Sequence, residues 1–503
     1  MNILTQLKIN YGLAYVAIKY SIVGIGFLRT ILVASILSVN DMGLLAFYYL
    51  ILEYAVITVP IGSPNAINKE VSNLKGKNNK INSKNREVVE IYTSCIQVFT
   101  LSFLILIFSI YIIDGVLFNF LPKEVQNTKE IFLLITFLSC FRTYANMHNR
   151  LWEKYNRLFL SEGVYSLVYL LGIYIFLNND DSYYLILYVL AFSNLVAIII
   201  ARFYPTYMNF SKINFGILKK SSSIGFFLML NVVMESLFWG IDRFFIASVL
   251  EPDQLAYFHL SHTFARGIMM FYAAITFLFY PLLISLFTDL KNKHDSWDQA
   301  VEVIFKMSRF SEGIMVFALI ISVLIIPKVI VFLLPQYPDL TTLFHIIILG
   351  LTLKGLVFFP MTYLIAVSWH KLLSLISIFF VIAVAFFYWM FGNFYELHAF
   401  GYTSIAVVAF LFFVSTMSYL AFIQIGAKNI LLIILKYYYK IFTTVGITIF
   451  FLTQPNYFTL ISNVGIVLIL TSLIYLNNFN LILKETIISI YKKDKNNLMK
   501  SFR

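Results

Sequence analysis

Charge is scarce in this chain. Only 12% of its 503 residues are Asp, Glu, Lys or Arg, where soluble domains carry about a quarter, so an ordinary water-soluble fold is excluded at the outset. Cysteine is nearly absent as well. Cys95 and Cys140 both fall in apolar stretches, and two such residues build neither a disulfide framework nor a metal cluster, so they read as small core hydrophobes. No phosphate-cradling P-loop is present, which leaves ion gradients or consumption of a product as energy sources. The N-terminus does not read as a signal peptide: its first apolar segment carries Lys19 and Arg29, runs too long and lacks a small-residue cleavage site.

What the chain has instead is apolar length. It is 60% hydrophobic, with 51 Phe and 33 Tyr, and its mean hydropathy is +0.83. A membrane helix needs about 20 mostly apolar residues. On that basis spans are expected at 11–37, 42–62, 91–113, 130–148, 158–177, 183–201, 223–249, 255–287, 303–326, 341–366, 372–391, 401–424, 437–453 and 458–476. The expected fold class is therefore an all-α integral membrane protein of about fourteen helices. The N-terminus, the even-numbered connections and the C-terminal tail hold 26 of the 37 Lys and Arg, and the odd-numbered connections hold three. By the positive-inside rule the basic set faces the cytoplasm, with both termini inside. The net charge of +12 is thus a topology signal directed at anionic lipid headgroups, and nucleic acid is not an expected partner.

An internal repeat accompanies this pattern. Ala34-Ser-Ile-Leu37 at the end of the first span matches Ala247-Ser-Val-Leu250 at the end of the seventh. Asn40-Asp41-Met42-Gly43 matches Asp253-Gln254-Leu255-Ala256 in character. The offset of 213 residues equals six spans and keeps the membrane orientation. Two parallel, pseudo-symmetric six-helix bundles are expected, 1–222 and 223–436, followed by two further helices and a basic tail over 437–503.

Ionisable groups at membrane depth cost a few kcal/mol each, so they face a bundle interior or a wet cavity. The first span carries Lys19 and Arg29, with Gly24 and Gly26 suited to close packing or a bend. On the eighth, His259, His262 and Arg266 fall within about 60° of one another at about 100° per residue. They are either a cavity lining or a polar seam between helices. Two histidines three residues apart with no Cys or carboxylate on that face do not make a metal site. Glu235 on the seventh span has no local partner, and Glu53 on the second raises the same question; each is paired with a distant cation or protonated. Asp242 and Arg243 read as a structural neighbour pair. Lys354 and His345 on the tenth point about 180° apart. Arg142, Arg150 and Arg157 read as inner-surface anchors. Buried cations outnumber carboxylates, so a cavity lined by Lys19, Arg29, Arg266 and Lys354 favours an anionic ligand, with phosphate the natural group. Glu235, His259, His262 and Glu53 are the candidates for ion coupling.

At this point the sequence resembles a known family. Phe27-Leu-Arg-Thr-Ile-Leu-Val-Ala-Ser-Ile-Leu-Ser-Val-Asn-Asp-Met-Gly43 and Pro60-Ile-Gly-Ser-Pro-Asn-Ala-Ile-Asn-Lys-Glu70 resemble the opening of polysaccharide repeat-unit flippases. Trp239-Gly-Ile-Asp-Arg-Phe-Phe-Ile-Ala-Ser248 and Tyr280-Pro281 resemble the start of that family's second half. These proteins belong to the multidrug/oligosaccharidyl-lipid/polysaccharide exporter superfamily. The resemblance implies alternating access of two six-helix bundles around a cationic cavity. It also implies translocation of undecaprenyl-pyrophosphate-linked oligosaccharide from the inner to the outer leaflet of the cytoplasmic membrane. Within it, Arg29 and Arg266 match cavity cations of the first and eighth helices. No second-helix arginine matches, because Glu53 is the only charge in that span, which argues against a peptidoglycan precursor.

Other readings predict other residues. A drug/cation antiporter of the same superfamily would favour carboxylates where Lys19 and Arg29 stand. A polymerase or glycosyltransferase needs catalytic residues in a large outer loop, whereas the longest outer connection, 114–130, has 17 residues and no paired acidic motif. A symporter of another twelve-helix fold is the remaining alternative. The expectation is a monomeric, multi-pass transporter of the inner membrane with no enzymatic activity and no cofactor. Its partners are a lipid-linked substrate, membrane lipids, and the polymerase and glycosyltransferases of the same pathway.

Overall fold

The computed structural model describes residues 21–22, 24–77, 85–112, 128–152, 154–176, 182–202, 215–267, 322, 325–367, 369–395, 413, 415–426 and 429–434. Among them every regular element is a helix. The chain divides into two compact units, Met1–Leu260 and Ser261–Arg503.

The first unit contains α1 (Gly24–Ile36), α2 (Val39–Thr58), α3 (Ser63–Lys77), α4 (Arg86–Ile112), α5 (Lys129–Leu151), α6 (Tyr155–Phe176), α7 (Ser182–Ala201) and α8 (Phe215–Val249). A helix over 252–267 (α9) closes this unit and begins the second, which continues with α10 (325–333), α11 (Leu340–Ala366), α12 (His370–Tyr395) and α13 (415–425). Five described helices are long and apolar enough to cross a membrane. The spans expected at 437–453 and 458–476, and most of 303–326, lie outside the described residues.

Surface chemistry agrees with a lipid environment. Leu101, Leu104, Ile105 and Phe108 recur at helical spacing on α4, and all are more than half exposed; Leu375, Phe379, Ile382 and Phe386 do the same on α12. A continuous apolar stripe of this kind is unfavourable in water and costs nothing against hydrocarbon.

Inside the first unit, α2 to α5 enclose a core built on Val71, Ile91, Tyr92, Phe99 and Tyr144. Both cysteines are free and fully buried in it. The α2–α3 corner is a tight turn in which Ile61 and Gly62 take positive φ (48° and 64°). Ser63 locks the corner by donating to the Pro60 carbonyl at 2.5 Å and bonding Tyr144 of α5. Gly62 lies so close to Gly225 of α8 that a side chain at either position would meet the other's backbone.

That corner also explains an element not expected from hydropathy. α3 carries Ala66, Ile67 and Val71 on a buried face and a polar remainder. Its apolar stripe is one helix face wide, so no window of about 20 residues registers it.

At the other end of α2, Ser38 caps the helix: its Oγ accepts from the Asp41 N–H at 3.1 Å. Here the two turns that the internal repeat matches come together, because the Gly43 backbone abuts the Pro252 carbonyl with no room for a Cβ.

Candidate functional site

The site grows out of one face of α6. Glu162, Tyr165 and Tyr169 recur at i, i+3 and i+7, which stacks them along one stripe over about 10 Å of helix. Tyr165 and Tyr169 have ring centres 6.2 Å apart. Each carries a guanidinium: Arg29 of α1 lies over Tyr169 with Cζ 4.4 Å from the ring centre, and Arg142 of α5 lies over Tyr165 at 3.6 Å. Tyr165 neighbours both arginines, and the two cations are near enough to act on one another. An aromatic face attracts a cation most strongly where water is scarce, so the tyrosines hold both guanidiniums without neutralising them.

The stripe continues at both ends. The Tyr169 hydroxyl is bonded to that of Tyr49 on α2, and Tyr49 in turn stacks on His259 of α9, with centroids 6.1 Å apart and planes at 27°. At the lower end, Glu162 Oε1 lies 3.8 Å from Arg142 Nε and accepts from the Asn146 amide one turn along α5. The Arg142 and Glu162 side chains are 21% and 28% exposed. Among the described residues the stripe thus carries two guanidiniums and one carboxylate, with Arg142 beside Glu162 and Arg29 beside Tyr169, and it is net positive. Arg142 Nη1 is buried without an acceptor among the described residues, so a donor remains to be satisfied.

A second ionic cluster ties α2 to α8. Arg243, its side chain only 5% exposed, reaches Glu53 of α2 with Nη1–Oε2 at 3.3 Å. Ser236 donates to the other carboxylate oxygen at 3.4 Å, and the Arg243 N–H donates to Asp242 Oδ1 at 2.9 Å. Gly240 leaves the space that the guanidinium occupies, since a Cβ there would lie 3.0 Å from Nε. Glu53 therefore has a distant cation, one of the two outcomes open to it from the sequence, and Arg243 reaches well beyond its neighbour Asp242.

The sequence-derived candidates are distributed unevenly. Arg29 and His259 stand on the aromatic stripe, and Glu53 stands in the second cluster. His262 is buried, whereas Arg266 is exposed near the end of the described part of α9. Lys19 lies outside the described residues; Glu235 and Lys354 lie in α8 and α11, with side chains outside the described part. No group of three or more potential metal ligands occurs among the described residues.

Arg142, Glu162, Tyr165 and Tyr169 are the residues that sequence reasoning missed. Arg150 and Arg157 are exposed, whereas Arg142 is not. It sits about two and a half turns inside the end of α5, half-buried against Tyr165. The available signal was Glu162, a lone carboxylate in an otherwise apolar span with tyrosines three and seven residues on.

Comparison with solved structures places the fold. An inward-facing multidrug resistance MATE family transporter of the MOP superfamily superposes with a TM-score of 0.62 at 12% identity, covering 81% of this chain and 94% of that one. The lipid II flippase MurJ in an inward closed conformation gives 0.62 at 14% identity, covering 94% and 100%. A MATE structure in complex with MaL6 gives 0.52 at 13%, covering 82% and 96%. The chain thus has the all-helical fold shared by MATE and MurJ membrane proteins. No curated protein matches it by sequence. Residues 11–287, which contain the whole aromatic stripe and both ionic clusters, match the family described as Polysaccharide biosynthesis protein, and over that majority of its length the chain belongs to this family.

Proposed function

We propose that this protein is a flippase that carries undecaprenyl-pyrophosphate-linked saccharide repeat units from the inner to the outer leaflet of the cytoplasmic membrane by alternating access. The observation that carries the reading is the pair Arg29 and Arg142, held on Tyr169 and Tyr165 of a stripe whose one carboxylate among the described residues, Glu162, lies beside Arg142. A net-positive, half-buried site among apolar helices suits a ligand that is anionic at one end and greasy at the other, and a diphosphate on a polyprenyl chain is both. Family membership supports the saccharide. Fold alone does not choose a cargo, because a lipid II flippase and a multidrug transporter share it. Charge separates the alternatives, since a drug/cation antiporter would present carboxylates where this site presents two arginines.

The proposal includes fourteen spans in two parallel six-helix lobes with two added helices, and cytoplasmic termini. It extends the cation set to Lys19, Arg266 and Lys354. Reporter fusions at Asn79, Asn179, Lys291 and Asn393 test the topology: Asn79 and Lys291 should report cytoplasm, and a periplasmic signal at either sinks it.

The function is tested with purified protein in liposomes. A labelled undecaprenyl-diphosphate saccharide should become accessible to an external glycosidase only in the presence of the protein. Failure to move it, together with efflux of an organic cation such as ethidium, would replace this reading with the antiporter one.

A further inference from the structure

The ion pair between Arg142 and Glu162 is a long one. Charge-assisted N–H···O bonds run at about 2.7–2.9 Å, yet Arg142 Nε and Glu162 Oε1 stand 3.8 Å apart. Arg142 also keeps Nη1 buried and without an acceptor among the described residues. Glu162, by contrast, has a second partner that does not depend on its charge. Asn146 donates Nδ2–H to Glu162 Oε1, and the Asn146 amide oxygen is buried with no donor among the described residues. A protonated Glu162 has the donor that oxygen lacks, and an acid facing an amide closes a two-point pair of hydrogen bonds. The pocket is thus built for either form of the carboxyl group, while the guanidinium is left under-used.

We propose that Glu162 is the exchangeable counter-ion of this site: an anionic headgroup displaces it from Arg142, and the carboxylate takes up one proton from water as it turns to Asn146. The proposal rests on reading the site as one for an anionic head. The charge inventory supports it. Arg142 and Asn146 from α5 contact Glu162, and further along the stripe stand Tyr165 and Tyr169 from α6 itself, Arg29 from α1 and Tyr49 from α2. α7, which also packs on α6, carries no acidic or basic residue. A doubly negative head beside an ionised Glu162 would place three negative charges against two guanidiniums. Neutralising the only carboxylate removes that repulsion, which lowers the cost of loading and links it to a proton.

The experiment is binding of farnesyl diphosphate to the purified full chain in nanodiscs across pH 5.5–8.5, with wild type, Glu162→Gln and Arg142→Ala. Glutamine keeps the Asn146 pairing and cannot ionise. Wild-type affinity should rise on acidification by up to about tenfold per pH unit more than that of Glu162→Gln, the slope expected for one proton taken up. The variant should bind at pH 8 at least as tightly as wild type does at pH 6. The probe's own titration is common to both proteins and drops out of the comparison. Infrared difference spectra of the wild type give a second readout that needs no variant: adding the probe should deplete a carboxylate band and produce a protonated carboxyl band.

Equal affinities and equal slopes for wild type and Glu162→Gln, or a probe-induced spectrum without carboxyl protonation, would overturn the counter-ion role and leave the anion site standing. Absence of binding to wild type at every pH, or unchanged binding in Arg142→Ala, would remove the anion site itself.

Discussion

Arg29 holds its guanidinium carbon 4.4 Å from the centre of the Tyr169 ring, and the hydroxyl of that ring is tied to Tyr49. The contact leaves the cation charged: a cation–π pair contributes about 2 kcal/mol where water is scarce, separately from the guanidinium's N–H donors, one partner of which is Tyr165. The donors are what a phosphate needs.

The first prediction separates the ring from its hydroxyl. Tyr169→Phe keeps the face under Arg29 and should export glycan at close to the wild-type rate in a complementation assay. Tyr169→Leu removes the quadrupole and should export poorly while still accumulating in the membrane. Arg29→Ala should lose on the order of 10–100-fold in transport, the worth of a charge-assisted hydrogen bond, and Arg29→Lys should keep part of it. Normal export by Arg29→Glu would show that the residue is only an anchor.

How far the sequence foretold this site depends on how local each signal is. A lone arginine in an apolar helix stands out, so Arg29 was legible. Arg142 was hidden by company: Arg150 and Arg157 follow within fifteen residues, and a run of basic residues at a helix end reads as a topology signal. Glu53 was legible as a charge in need of a partner, but Arg243 lies 190 residues away, and nothing local encodes that pairing. The helices themselves were legible where burial in lipid demands an unbroken apolar run, as in α4, α6 and α7. The α2–α3 corner was not, because its stop at Pro60–Gly62 and the one-sided stripe of α3 depend on packing against α8 and α5.

The Glu53–Arg243 pair yields a second prediction. Arg243 is almost wholly buried while Glu53 is partly exposed and keeps Ser236, so Arg243→Ala removes the carboxylate's cation and should destabilise the protein by about 1–3 kcal/mol. Arg243→Met with Glu53→Met replaces both charges by apolar chains and should recover most of that loss. Unfolding of the purified protein in detergent, run as a double-mutant cycle, gives the coupling directly. Additive effects of the two single substitutions would mean that the ion pair contributes nothing.

Glycine substitutions supply a third. Gly43→Ala drives a methyl into the Pro252 carbonyl, and Gly62→Ala does the same at Gly225 while also occupying a φ of 64°. Each should cost about 1–3 kcal/mol and lower the yield of folded protein. Gly24 and Gly26 were expected to suit close packing or a bend, yet among the described residues a Cβ on either meets nothing within 4 Å. Alanine there should be neutral or should stabilise α1 by about 0.5–1 kcal/mol through its better helix propensity. Thermal unfolding of the four variants side by side checks the contrast, and a large loss at Gly26→Ala would reveal a contact made in another state of the protein.

The last prediction concerns coupling to an ion gradient. His259 stacks on Tyr49, which is bonded to Tyr169, which lies under Arg29, so a protonation event on the histidine is separated from the cation by two side chains. Imidazole titrates near neutrality, and a positive charge added beside the stripe would repel Arg29 and favour an anion at once. Glu235 belongs to the same proposal as a carboxyl group at membrane depth. His259→Phe preserves the aromatic face towards Tyr49 and cannot ionise; Glu235→Gln preserves shape and hydrogen bonding and cannot ionise either. A coupling role for either residue predicts that its variant binds cargo as wild type does and flips it at the rate wild type shows without a gradient. A packing role predicts that rates still respond to an imposed pH or sodium gradient. Flipping in proteoliposomes, measured with and without each gradient, distinguishes them. If wild type, His259→Phe and Glu235→Gln all respond equally, neither residue takes part in coupling, and the exchangeable carboxylate of Glu162 becomes the remaining proton acceptor on the stripe.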